Sequence, residues 1–189
     1  MQAMEEETNE DFYFYEPAKV GEPAPEFTLN AVLGNGEFTK ISLGGTRETW
    51  TVLFFYPLDF TFICPTEITG FSNQCAEFEA LNTNVYGCST DSVHSHKAWL
   101  KDLGELKTPL LSDMTHELSE AYGVLIEEEG IALRGTFIID PEGILQYANI
   151  HSNNVGRSID ETLRVLKALQ TGELCPVNWE QGKETLGKA

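Results

Sequence analysis

The stretch Trp50–Tyr56, WTVLFFY, sets seven aromatic, β-branched or aliphatic residues in a row, and Pro57 stops it. A run this long without polar alternation predicts a strand buried on both faces. Such a strand needs cover above and below, so the chain must build a sheet with helices packed on it. With 189 residues, one domain with extensions is the expected size. Hydrophobic residues at 41% and charged residues at 22% are ordinary globular usage, which excludes a wholly disordered or collagen-like chain.

The remaining pattern alternates strands with helices. Gly21, Pro23 and Pro25 give an extended approach to the body. Asn35-Gly36 is a turn signal between Phe27–Leu29 and Glu37–Thr39, predicting an N-terminal hairpin. After Pro65 the apolar residues Phe71, Cys75, Phe78 and Leu81 predict one helix. A strand follows over 84–89, then a helix over 92–103 capped by Asp91 or Ser92. Leu110-Leu111 is a short strand, and Glu117–Tyr122 a short helix closed by Gly123. Strands over 136–139 and 144–150 flank the turn Asp140-Pro141-Glu142-Gly143. The last helix runs from Ser158 to Gln170, with Ile159, Leu163, Leu166 and Leu169 on one face.

Net charge is −18. A surface this acidic repels phosphate backbones and anionic lipid, so neither nucleic acid nor membrane is an expected partner. No segment approaches the roughly 20 apolar residues of a membrane span. No basic segment followed by an apolar run opens the chain, so a reducing cytoplasm is the expected compartment. Residues 1–18 carry Glu5, Glu6, Glu7, Glu10, Asp11 and Glu16 with no Lys or Arg, and an aromatic patch at Phe12–Tyr15. They read either as a mobile tail or as an arm that docks those aromatics.

The cysteines are Cys64, Cys75, Cys88 and Cys175, without a C-x-x-C pair. In a reducing compartment they are buried, catalytic or redox-active rather than permanently bridged. Cys64 lies between the strand-ending Pro57 loop and Pro65, which suits a first helical turn. That puts its sulfur among the free amides of a helix N-terminus, where an anion is favoured. Thiolate is the form that attacks electrophiles.

The segment from Pro57 to Glu67, PLDFTFICPTE, closely resembles the active-site signature of typical two-cysteine peroxiredoxins, whose core is P-x-x-x-T-x-x-C. Asp91–Trp99 (DSVHSHKAW), Arg134–Asp140 (RGTFIID), Val155–Ser158 (VGRS) and Cys175-Pro176 resemble further segments of that family, in the same order. The resemblance covers about Lys19 to Trp179. It implies an α/β, thioredoxin-like fold: a central mixed β-sheet flanked by helices, with an N-terminal hairpin extension. The implied organisation is an arm over 1–18, the thioredoxin-like domain over 19–172, and a tail over 173–189 carrying Cys175.

By the same resemblance Cys64 is the peroxidatic cysteine. Thr61 and Arg134 bind the peroxide oxygens and sulfur, Pro57 shields the sulfur, and Glu67 and Arg157 orient Arg134. Cys175 is the resolving cysteine, which joins Cys64 of a second subunit in a disulfide. The implied partners are a hydroperoxide, a thioredoxin or flavin-linked disulfide reductase, and further copies of the chain as a homodimer and a ring of five dimers. No cofactor or metal is called for. A role as an oligomeric holdase for unfolding proteins is a secondary expectation. Cys75 and Cys88 match no functional position and read as core residues.

Two departures bear on robustness. Peroxide-sensitive members carry a Gly-Gly-Leu-Gly loop where this chain reads Asp102-Leu103-Gly104-Glu105-Leu106-Lys107, and a C-terminal Tyr-Phe helix that this sequence lacks. Resistance to sulfinic inactivation is therefore expected. Three rival chemistries are weaker. A metal site would use His94 and His96, which alternate on a helix and face different sides. A Cys–His hydrolase needs His94, His96, His116 or His151 beside Cys64. A dithiol oxidoreductase needs a second cysteine three positions on, where Glu67 stands.

Overall fold

A computed structural model describes residues 16–188. Strands β1 (Phe27–Val32), β2 (Phe38–Leu43) and β3 (Trp50–Phe55) lead into helices α1 (Cys64–Asn73) and α2 (Cys75–Ala80). Then come β4 (Thr83–Ser89), α3 (Val93–Leu103), β5 (Leu110–Ser112) and α4 (Glu117–Ala121). The pair β6 (Leu125–Ile126) and β7 (Ile131–Ala132) precedes β8 (Arg134–Ile139), β9 (Leu145–His151) and α5 (Ile159–Gln170).

The seven-stranded sheet has the order β2-β1-β5-β4-β3-β8-β9. Strand β3 pairs parallel with β4 and antiparallel with β8, so the sheet is mixed. The β1–β2 hairpin turns through Asn35 and Gly36, whose φ of 84° suits glycine, and extends the sheet through an antiparallel β1–β5 contact.

Both faces of β3 are buried, as the apolar run requires. Val52, Phe54 and Tyr56 point into a core with Ile68 and Phe71 of α1, Trp99 of α3 and Leu163 and Leu166 of α5. Leu53 and Phe55 point into the opposite core with Leu118, Tyr122, Val124 and Phe137. Each such side chain, fully buried, contributes roughly 1.5–3 kcal/mol of transfer free energy.

Ser92 and Ser158 cap α3 and α5, their hydroxyl oxygens accepting from the Ser95 and Glu161 amides at 3.2 Å. The helix expected after Pro65 is two helices, because the chain breaks at Gln74. Gly70, Ser72 and Asn73 are weak helix formers, and Ser72 spends its hydroxyl on the Lys107 amide at 2.8 Å. The β6–β7 pair was not expected, since two-residue strands leave no period to read. The Phe12–Tyr15 patch lies outside the described residues. Among the described residues, no helix is long and apolar enough to cross a membrane.

Candidate active site

Cys64 opens α1, directly after the Pro57–Ile63 loop that leaves the end of β3. Pro65 occupies the first turn, where its missing N–H is no loss, and no side chain caps the helix. The Cys64 side chain is fully buried. Pro57 is buried above the end of β3, and Phe60 in the same loop holds a left-handed φ of 56°. That conformation costs a non-glycine residue roughly 1–2 kcal/mol. Packing of its ring on Trp99, 5.7 Å between centroids, holds it there.

Arg134, the first residue of β8, sends Nη1 to within 3.4 Å of the Cys64 sulfur. The same nitrogen donates to Glu67 Oε2 at 2.6 Å, and Nε donates to the Asn153 carbonyl at 3.1 Å. Glu67 stands three residues after Cys64, one helical turn on, so α1 presents both groups to the guanidinium. Its other oxygen accepts from the Arg157 amide at 3.1 Å and from Arg157 Nε at 3.0 Å. The Arg157 side chain is only 4% exposed. It also donates to the carbonyls of Gly135 and Phe55 and to the Thr136 hydroxyl. Burial pulls the Arg157 guanidinium below its ordinary value, and the Glu67 carboxylate opposes that pull.

The cluster therefore holds two guanidinium groups against one carboxylate. This leaves a surplus of positive charge beside the Cys64 sulfur. Solvated surface charge, the ordinary reading of such residues, does not describe Arg134, Glu67 or Arg157. Thr61 is half-buried on the loop and donates its hydroxyl hydrogen to the Leu58 carbonyl at 2.9 Å, which leaves the oxygen free to accept.

Cys175 is not joined to this group. Both it and Cys64 are free thiols. Cys175 is half-buried against the last turn of α5, its sulfur 3.5 Å from the Thr171 hydroxyl and 3.7 Å from the Ala168 carbonyl. The tail around it folds back on itself: Leu174 and Leu186 close a pair of backbone hydrogen bonds with Gly187 and Leu174, and Trp179 is buried. Cys75 and Cys88 are both buried, and burial raises both thiols above their ordinary value.

One set of residues beneath the loop escaped the sequence reading. Tyr56 donates to Asp59 Oδ1 at 2.9 Å, and His96 Nδ1 lies 2.8 Å from Asp59 Oδ2. His96 Nε2 lies 3.0 Å from the Leu111 carbonyl, so both ring nitrogens face oxygen. The Asp59 amide donates to Asp91 Oδ2 at 2.8 Å. This buried network ties the loop to β3, β5 and α3. It also commits His96, whereas His94 is exposed against Phe38, so the two do not form a metal-binding pair. The signal was present, in that Tyr56, Asp59, Asp91 and His96 fall within or beside two of the motif segments.

A sequence model of the AhpC/TSA family matches residues 20–148. The chain is 50% identical over 179 residues to peroxiredoxin prdx-2 of Caenorhabditis elegans, covering 89% of each. It is 48% identical over 183 residues to the chloroplastic 2-Cys peroxiredoxin BAS1 of Hordeum vulgare, covering 91% of this chain and 87% of that one. Among solved structures, the reduced 2-Cys peroxiredoxin of Plasmodium vivax superposes with a TM-score of 0.86 at 38% identity, covering 89% and 93% of the two chains. AhpC of Mycobacterium bovis superposes with a TM-score of 0.78 at 41% identity, covering 87% of this chain and 99% of that one. A buried cysteine at the head of a helix, a guanidinium beside its sulfur and these likenesses in sequence and fold agree: the chain belongs to the AhpC/TSA family, as a peroxiredoxin with the thiol peroxidase activity of that family.

Proposed function

We propose that Cys64 is the peroxidatic cysteine and Cys175 the resolving cysteine of a two-cysteine cycle. The observation that carries the first assignment is the Arg134 guanidinium 3.4 Å from the Cys64 sulfur. The thiolate attacks one peroxide oxygen; a sulfur–oxygen bond forms and the oxygen–oxygen bond breaks. The leaving oxygen takes a proton and departs as water or an alcohol, and Cys64 becomes a sulfenic acid. Arg134 donates where charge builds on the oxygens, and Thr61 accepts the peroxide hydrogen. Glu67 and Arg157 keep Arg134 aimed, and Pro57 limits water at the sulfur.

The Cys175 thiol of a second copy then attacks the sulfenic sulfur, releasing water and forming a disulfide. A dithiol partner, thioredoxin or a flavin-linked disulfide reductase, returns both thiols. Edge strand β9 supports pairing of copies: β8 bonds one side of it, and Ile150 and the nearby Val155 are exposed. Exposed Phe60 and Phe62 give the apolar surface that a ring of five dimers, and a secondary holdase role, would use.

The test adds one equivalent of hydrogen peroxide to reduced protein, followed by intact mass and a non-reducing gel. A covalent dimer is expected from the wild type. Cys175→Ser should consume one equivalent and give no such dimer; a persistent dimer in that variant overturns the resolving assignment. The reading at residues 102–107 gives a further expectation. Gly104 closes α3 and Leu106 is buried, in place of a flexible glycine-rich loop. Graded peroxide with a recycling reductant should leave Cys64 free of a two-oxygen mass gain at concentrations that consume many turnovers. Rapid sulfinic acid formation would contradict it.

A further inference from the structure

The tail that carries Cys175 is fixed to α5 by one charged side chain. Arg164 sits on the half-exposed face of α5 and forks to Glu161, donating from Nε at 2.6 Å and from Nη2 at 2.7 Å. This leaves Nη1 pointing away from Glu161, where it donates to the Trp179 carbonyl at 3.0 Å. The Trp179 ring is 4% exposed, and its Nε1 donates to the Lys183 carbonyl at 3.1 Å. Its amide donates to Pro176, one residue from the thiol. Arg164, Ala168, Leu169, Cys175 and Val177 line one cavity of about 520 Å³.

A disulfide needs the two sulfurs about 2.05 Å apart. Cys64 is enclosed by its own loop, and Cys175 is held against Ala168 and Thr171. The tail must therefore leave α5 before its sulfur can be delivered. The hydrogen bonds joining Leu174 to residues 186 and 187 lie within the tail and can travel with it. The bond from Arg164 crosses from helix to tail and must break. On the two-cysteine reading above, we propose that Arg164 is a positioning residue for the resolving half of the cycle: by gripping the Trp179 carbonyl it sets how fast the Cys175 segment is released, and so how the Cys64 sulfenic acid divides between disulfide and sulfinic acid.

A hydrogen bond from a charged donor at a partly exposed site stabilises by about 1 kcal/mol. Arg164→Met keeps the length of the stem and removes every donor. It should form the disulfide about fivefold faster, that being about 1 kcal/mol at 1.36 kcal/mol per tenfold.

The experiment is rapid-quench mass spectrometry of full-length reduced protein over a series of hydrogen peroxide concentrations. Three species are counted: Cys64 sulfenic acid, Cys64 sulfinic acid and the disulfide. The expected result for Arg164→Met is an unchanged rate of sulfenic acid formation, faster disulfide formation and a higher peroxide concentration for half sulfinic conversion. A merely structural role would not separate the second step from the first. An unchanged or slower second step in Arg164→Met overturns the proposal. A wild-type protein that forms no Cys64–Cys175 disulfide overturns the two-cysteine reading itself, which is a different result from a disulfide whose rate ignores Arg164.

Discussion

Arg134→Met should oxidise Cys64 about 10²–10³-fold more slowly than the wild type, the usual cost of removing one preorganised donor from developing charge. Methionine fills much of the same space, and the site is 3% exposed, so collapse into a void is a small part of the effect. What disappears is a fixed positive charge 3.4 Å from the sulfur. Arginine suits the position because it stays charged while buried and offers several donors in a rigid fork. One nitrogen faces both the sulfur and Glu67, and Nε is held by the Asn153 carbonyl, so the guanidinium is aimed before substrate arrives. The measurement is stopped-flow oxidation of reduced protein under pseudo-first-order peroxide at neutral pH. A variant within threefold of the wild type would remove Arg134 from the mechanism.

Glu67→Leu should lower stability by about 3–5 kcal/mol, because removing one partner of a buried ion pair leaves the other charge uncompensated. Here two guanidinium groups lose the same carboxylate, with side chains only 3% and 4% exposed. In a domain of this size the loss lowers Tm by roughly 6–20 °C. Arg157 keeps the carbonyls of Phe55 and Gly135, so the damage centres on charge rather than on missing acceptors. Glu67→Gln, which retains an acceptor oxygen, should fall between the two. Thermal unfolding of the three reduced proteins checks the order. A leucine variant as stable as the wild type would mean that the cluster is held by packing alone.

The legible parts of the fold are those written in local chemistry. The aromatic and β-branched run WTVLFFY, stopped by Pro57, points to a strand covered on both faces, and Ser92 and Ser158 announce the starts of α3 and α5 through their own hydroxyls. Cys64 before Pro65 announced a sulfur at a helix start. Arg134, Glu67 and Arg157 were named through a resemblance of motifs, because nothing local distinguishes them from surface charge. The break at Gln74 stayed hidden because Phe71 and Phe78 keep a helical spacing across it. Asp59 and His96 stayed hidden because polar residues read as exposed until their partners, Tyr56 and the Leu111 carbonyl, are known.

The groups around the Cys64 sulfur come from distant parts of the chain. Arg134 is 70 residues from Cys64, Arg157 is 90 from Glu67, and the carbonyl that anchors Arg157 is 102 residues away at Phe55. During synthesis, Cys64 leaves the ribosome long before either guanidinium exists. Until β8 is laid against β3, the nascent chain carries a thiol with no cation beside it. On the proposed assignment of Cys64, the arrangement that favours attack on peroxide thus arrives only with the completed sheet.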